Sequence, residues 1–228
     1  MSTPTERTIR VETIGRERQQ VAIIDHFSPD ADALAQAAAE AAFEERGEYY
    51  PGPRAPAPKT WFAGVRDVVV AIARDVFGGG QTLRLERALY SLATHNPQSL
   101  SLAQRVPHID DVDHGALAIV HYLSAQDFGG TAFFRHRSTG FETVTRDRHE
   151  RFLSALKADF VCHGEPPAAY ISGDTPVFER IFSVAPVFNR AVIYRSSLLH
   201  CAELPNEIPL PADPVSGRLT IAAFLRLT

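Results

Sequence analysis

Two residues in one short stretch have the types and spacing for metal chemistry. VPHIDDVDHGALAIVHYL (106–123) carries His108 and Asp110 two positions apart, leading into a β-branched and aromatic run. In a strand or at its rim, positions i and i+2 project to one side, so an imidazole nitrogen and a carboxylate oxygen can meet the same ion. A second histidine from elsewhere completes a facial triad, which suits nonheme iron(II) and leaves coordination positions open for oxygen and a cosubstrate. His200 is the best candidate: it ends NRAVIYRSSLLH, an apolar strand running into a turn well downstream of the pair. Arg218 and Thr220 follow on one face of GRLTIAAFL, where a guanidinium fork and a hydroxyl can hold the far carboxylate of a diacid. An arginine at the head of an apolar strand needs such a partner if it points inward.

The neighbouring polar residues have plainer readings. Asp111 and Asp113 read as solvated loop acids, since three carboxylates overcharge a histidine-rich site. His114 and His121 compete with His108, but His121 lies within ALAIVHYL and reads as a packed or hydrogen-bonded sheet residue. Arg135, His136 and Arg137 read either as a solvent-facing strand or as a basic rim for an acidic substrate, and Arg195 sits where it can touch substrate. Cys162 and Cys201 are too few for a disulfide framework and lack zinc-pair spacing, so reduced thiols are expected.

The elements that must position these residues are mostly strands. Residues 1–19 form a polar leader with an edge strand through Ile9 and Val11, followed by the apolar run Val21 to Ile24. The alanine-rich ADALAQAAAEAAFEE predicts a helix over 30–46. The four prolines of 49–59 exclude regular structure there and predict an ordered loop or lid, with Tyr49, Tyr50 and Arg54 able to line a substrate. A second helix is expected over 61–77, closed by the glycines at 78–80. Alternation over 82–93 predicts a strand with Leu83, Leu85 and Arg87 on one face and Ala88 and Tyr90 on the other. Strands follow from 116, from 131, over 178–184 and 190–196, and at the C-terminal end, with a third helix over 147–163. No composition shift marks a boundary, so one domain is expected over 1–228: helical support and a proline-rich loop over 20–80, and a β core over 82–228.

Composition sets limits. With 23 basic against 27 acidic side chains and a net charge of -4, no nucleic-acid partner is expected. The N-terminal residues hold no apolar run of signal-peptide or membrane length, which predicts a cytoplasmic protein without membrane attachment. A homodimer is the default assembly on general frequency alone.

The order His108-x-Asp110, His200, Arg218-x-Thr220 resembles the Fe(II)/2-oxoglutarate-dependent oxygenases, and Gly129-Gly130 is similar to the turn of their prolyl-hydroxylase-like branch. More narrowly, the chain resembles a bacterial group of small oxygenase-like proteins of undefined function, some encoded near tryptophan-halogenase-like proteins. The resemblance implies a mostly β fold with supporting α-helices, a double-stranded β-helix of the jelly-roll, cupin-like kind. It implies iron(II) on His108, Asp110 and His200, and 2-oxoglutarate held by Arg218 and Thr220, with Tyr90 or Tyr122 assisting. Oxygen as cosubstrate would give succinate, CO2 and hydroxylation of a C–H bond in a small molecule, an amino-acid derivative or a peptide side chain. Asp110 disfavours halogenation, because an iron halogenase lacks that carboxylate. Thr131 departs from the branch, which places an acidic residue after its Gly-Gly. The alternatives are a cupin-like metal enzyme that does not use 2-oxoglutarate and a catalytically inactive jelly-roll binding protein.

Overall fold

A computed structural model describes residues 6–46, 49–78 and 82–227. Ten strands form two antiparallel sheets: β1 Thr8–Ile14, β2 Gln19–Asp25, β3 Arg54–Pro56, β4 Leu83–Ala93, β5 Ala116–Tyr122, β6 Thr131–His136, β7 Phe178–Val184, β8 Ala191–Arg195, β9 His200–Ala202 and β10 Arg218–Leu227. The larger sheet runs β1-β2-β8-β5-β10-β4-β3 and the smaller β7-β6-β9. This is a jelly roll, mostly β with three α-helices: α1 Ala31–Ala38, α2 Lys59–Asp75 and α3 His149–His163.

Two apolar layers result. On the outer face of the larger sheet, Trp61, Val65, Val69 and Ile72 of α2 and Leu34 of α1 pack on Ile119, Ile193, Ile221 and Leu225. Alternate residues of the same strands, Ala118, Tyr122, Val192 and Tyr194, face Phe133 and Val184 of the smaller sheet across the barrel interior. The larger sheet thus buries both faces, which accounts for the nearly continuous apolar runs of β5 and β8.

Four expectations need correction. The helix expected over 30–46 ends at Ala38, because Phe43 packs on the core and Glu44 pairs with Arg54, which draws the chain out straight. Part of the proline-rich loop is regular after all: Arg54–Pro56 pairs with β4 as an edge strand, the one setting in which proline's missing N–H is tolerated. The segment expected as helical support over 20–80 is not helical alone, since β2 joins the larger sheet beside β1, the edge strand expected through Ile9 and Val11. Finally, the alternation of β4 slips at Glu86, which has no partner between the pairs Leu85↔Leu225 and Arg87↔Phe224. That bulge puts Ala88 and Tyr90 on the helix-covered face with Leu83 and Leu85, and Arg87 and Ser91 on the interior face. Gly79 and Gly80 of the expected helix stop lie outside the described residues.

Candidate metal centre

Two distant segments build the centre. His108 and His200 exchange backbone hydrogen bonds, N–H to O at 2.9 and 3.0 Å, and the Asp110 N–H donates to the Ser196 carbonyl at 2.8 Å. The loop before β5 is thereby pinned along the strand carrying His200, and the three side chains converge. Their ligand atoms all lie within 4.8 Å of one another. Asp110 stands 3.3 Å from His200 Nε2 and 3.9 Å from His108 Nε2, and the two rings are 4.5 Å apart.

The protonation states suit an ion. His200 Nδ1 lies 2.8 Å from the Leu198 carbonyl, which can only accept, so Nδ1 carries a proton and Nε2 is the ring atom that faces Asp110. Burial and the neighbouring His200 push His108 down to about 4, although 35% of its side-chain surface remains exposed. Burial alone would raise Asp110; the facing His200, with His108 and Arg54, outweighs it and holds the carboxyl below its ordinary value. At neutral pH His108 is neutral and Asp110 ionised, the forms in which these side chains ligate a metal.

Arg218 and Thr220 stand on the interior face of β10, Thr220 between Ser91 and Tyr122. The Arg218 guanidinium donates to the Gly129 carbonyl at 3.1 Å and the Gly130 carbonyl at 3.2 Å, and lies 6.0 Å from the Tyr122 ring centre. Those glycines are required: Gly129 has φ +91°, and a Cβ on either would collide with the carbonyl of Glu203 or Val184. Thr131 shares a 2.6 Å hydrogen bond with the Tyr122 hydroxyl.

Not every expected residue joins the site. Tyr90 lies on the helix-covered face, one residue out of phase with Ser91, and its hydroxyl donates to the Leu34 carbonyl at 2.7 Å. His121 is fully buried between Trp61 and Asn189, the structural role expected of it. Arg135 and His136 form no rim: both are buried, and Arg135 is paired with Glu142 and Glu179. Arg195 is committed to the carbonyls of His114 and Phe77.

One residue the sequence offered only as a general pocket liner takes a sharper place. Pro51 and Pro53 have no donors but expose carbonyls, which accept from the N–H groups of Thr94 and Leu92 at 3.0 and 3.1 Å and seat the loop on β4. The seat brings Tyr50 to the Arg218 and Thr220 end of the interior. Burial raises its hydroxyl pKa, against the charges of Arg218 and Arg54 and hydrogen bonding from Thr220 and Arg218. Its hydroxyl is buried yet lacks a well-formed hydrogen bond. Tyr49, by contrast, is exposed. A cavity of about 170 Å³ opens beside Asp110, lined by Arg87, Ser196 and Phe224 among others.

Comparison with known proteins agrees with the fold. The family model described as "Family of unknown function (DUF6445)" matches residues 5–225. No curated protein matches the sequence. Among solved structures, HygX from Streptomyces hygroscopicus with nickel, 2-oxoglutarate and hygromycin B bound superposes with a TM-score of 0.53 at 16% identity, over 93% of this chain and 84% of that one. HygX with nickel and 2-oxoglutarate bound gives 0.51 at 14% identity over the same shares. HygX with iron bound gives 0.50 at 16%, again over 93% and 84%.

Proposed function

The chain belongs to the DUF6445 family, whose description assigns no activity, and from that premise we propose that it is an Fe(II)- and 2-oxoglutarate-dependent oxygenase. Its reaction is hydroxylation of a C–H bond in a small molecule, an amino-acid derivative or a peptide side chain, with oxygen consumed and succinate and CO2 released. One observation carries the reading: two imidazoles and one carboxylate from distant segments meet within 4.8 Å, with the His200 proton tied to the opposite ring nitrogen.

The donor set fits iron(II), which His108, Asp110 and His200 would hold. Bound iron and 2-oxoglutarate supply the oxidising power for C–H cleavage. The fold shared with HygX, crystallised with iron and with nickel and 2-oxoglutarate, supports the assignment of both cofactors.

The chain's own residues bind and orient. Arg218, fixed by the Gly129 and Gly130 carbonyls, presents its remaining N–H groups to the far carboxylate of the cosubstrate, and Thr220 adds a hydroxyl. Tyr50 contributes the tyrosine hydroxyl to this group, in the place considered for Tyr90, while Tyr122 and Thr131 wall it. Tyr194 and Phe133 pack 4.7 and 6.5 Å from the His200 ring and shield that flank from water.

One observation favours a second reading. Arg218 already donates to two backbone carbonyls, which suits a structural role in a cupin-like metal enzyme that does not use 2-oxoglutarate. Iron-loaded protein supplied with 2-oxoglutarate and oxygen is expected to form succinate, and Asp110→Ala to form none. Metal binding by the wild type without 2-oxoglutarate binding or succinate would select the second reading.

A further inference from the structure

Among the described residues, the buried and half-buried arginines other than Arg54 are committed. Arg135, Arg190 and Arg226 lie in carboxylate pairs, and Arg195 and Arg218 donate to backbone carbonyls. Two arginines that face the barrel interior are different. Arg54 stands opposite Ser91 and Arg87 opposite Phe224, so the register of β3, β4 and β10 places both on the face that carries Thr220. Each guanidinium lies over an aromatic ring, Arg54 at 4.3 Å from the Tyr50 ring centre and Arg87 at 4.2 Å from that of Phe224. Neither has a carboxylate or carbonyl acceptor among the described residues, and Arg54 Nε is buried without a hydrogen-bond partner.

Arg54 is half-buried and Arg87 is exposed at the cavity mouth; a buried guanidinium without a counter-ion is costly, and one held over an aromatic ring is ready for an oxygen anion. Burial pushes the Arg54 pKa down from its ordinary value, Tyr50 and Asp110 pull against it, and Arg87 adds to the fall. Both arginines therefore lie in electrostatic reach of one another, and Arg54 in reach of the triad. Arg87 and Phe224 also line the cavity beside Asp110. Of the other acids that line this cavity, Glu86 and Asp111 are paired with Arg226.

We propose that Arg54 and Arg87 form an anion-recognition site beside the triad, which receives a carboxylate or phosphate group of the substrate. The assignment rests on the oxygenase reading above and narrows its substrate to an anionic small molecule or an anionic side chain. Each guanidinium is held over its own aromatic ring, and the cavity beside Asp110 leaves room for the carbon skeleton.

Inorganic phosphate is the probe, titrated calorimetrically into full-length protein both saturated with Mn(II) and 2-oxoglutarate and stripped by chelator. Wild type is expected to bind phosphate in both states. Arg54→Gln and Arg87→Gln should each weaken it by about tenfold, the worth of one charge-assisted hydrogen bond, with melting temperatures kept as a check on folding. The affinity for 2-oxoglutarate should stay within about threefold of wild type in both variants, while Arg218→Gln weakens it by about tenfold or more. Equal phosphate affinity in wild type and variants, or no phosphate binding, would overturn the proposal. A tenfold loss of 2-oxoglutarate affinity in Arg54→Gln would overturn it too, by returning Arg54 to the cosubstrate. Failure of Mn(II) and 2-oxoglutarate to bind wild type would sink the oxygenase reading instead, and the chelated arm would still decide whether the two arginines bind an anion.

Discussion

The two faces of the larger sheet use the same residue types to opposite ends. On the helix-covered face every polar side chain of note is consumed by the fold: Tyr90 donates to Leu34, and His121 accepts from Trp61 while meeting Asn189. Towards the interior, Arg54 of β3 and the preceding Tyr50 keep buried polar atoms without partners, and His108 and Asp110 from the loop before β5 meet His200 of the smaller sheet with ligand atoms within 4.8 Å of one another. Buried polar groups are ordinarily satisfied, so of these two faces the interior one, where Tyr50 and Arg54 keep unpaired atoms, is where a ligand would complete the structure. What separates the faces is therefore not composition but what each polar atom has left to offer.

The largest effect should come from removing the carboxylate at the centre. Asp110→Ala is expected to lower metal affinity by at least about a hundredfold, read by equilibrium dialysis against Mn(II), since even second-shell losses reach that range. Undiminished metal binding would place the ion elsewhere. Next in size, Arg218→Ala should weaken 2-oxoglutarate by about ten- to a hundredfold, as charge-assisted hydrogen bonds contribute about 1.5–3 kcal/mol each.

The outer face should also answer to acid. Burial lowers His121 to about 4 from an ordinary value near 6.5. The unfolded chain thus takes up its proton first, and stability present above pH 6.5 drains away as the pH falls towards 4. This histidine accounts for up to about 3 kcal/mol of that loss, at 1.36 kcal/mol per unit. Urea unfolding across this range should show His121→Phe with a flatter acid limb; an unchanged limb would contradict the assignment. The smallest effects form a matched pair. Tyr90→Phe should cost about 1 kcal/mol of stability and leave 2-oxoglutarate binding alone, whereas Tyr50→Phe should spare stability and weaken 2-oxoglutarate about fivefold. Interchanged results would erase the distinction between the faces.

The triad was legible because its chemistry is written in spacing: His108 and Asp110 at i and i+2, then His200 at the end of an apolar strand. That Arg218 and Thr220 share one face of their strand was legible for the same reason. Tyr90 was misplaced by a single feature, the unpaired Glu86, because one inserted residue turns every later side chain of β4 over and leaves no mark in the composition. Tyr50 and Arg54 were visible as residues suited to a pocket, but their place depends on prolines 51 and 53 lending carbonyls to a strand some forty residues away, a contact with no local signature. Likewise the alanines after Ala38 carry high helix propensity, and only the tertiary seat of Phe43 and Glu44 overrides it.

The central claim is that the interior face holds iron(II) and 2-oxoglutarate together. Anaerobic titration of the full chain with iron(II) and then 2-oxoglutarate tests it most directly, through the weak visible charge-transfer band of the chelate. The account predicts that the band grows to a stoichiometric endpoint in wild type and is absent from His200→Ala. No band in wild type, or an equal band in His200→Ala, would contradict it.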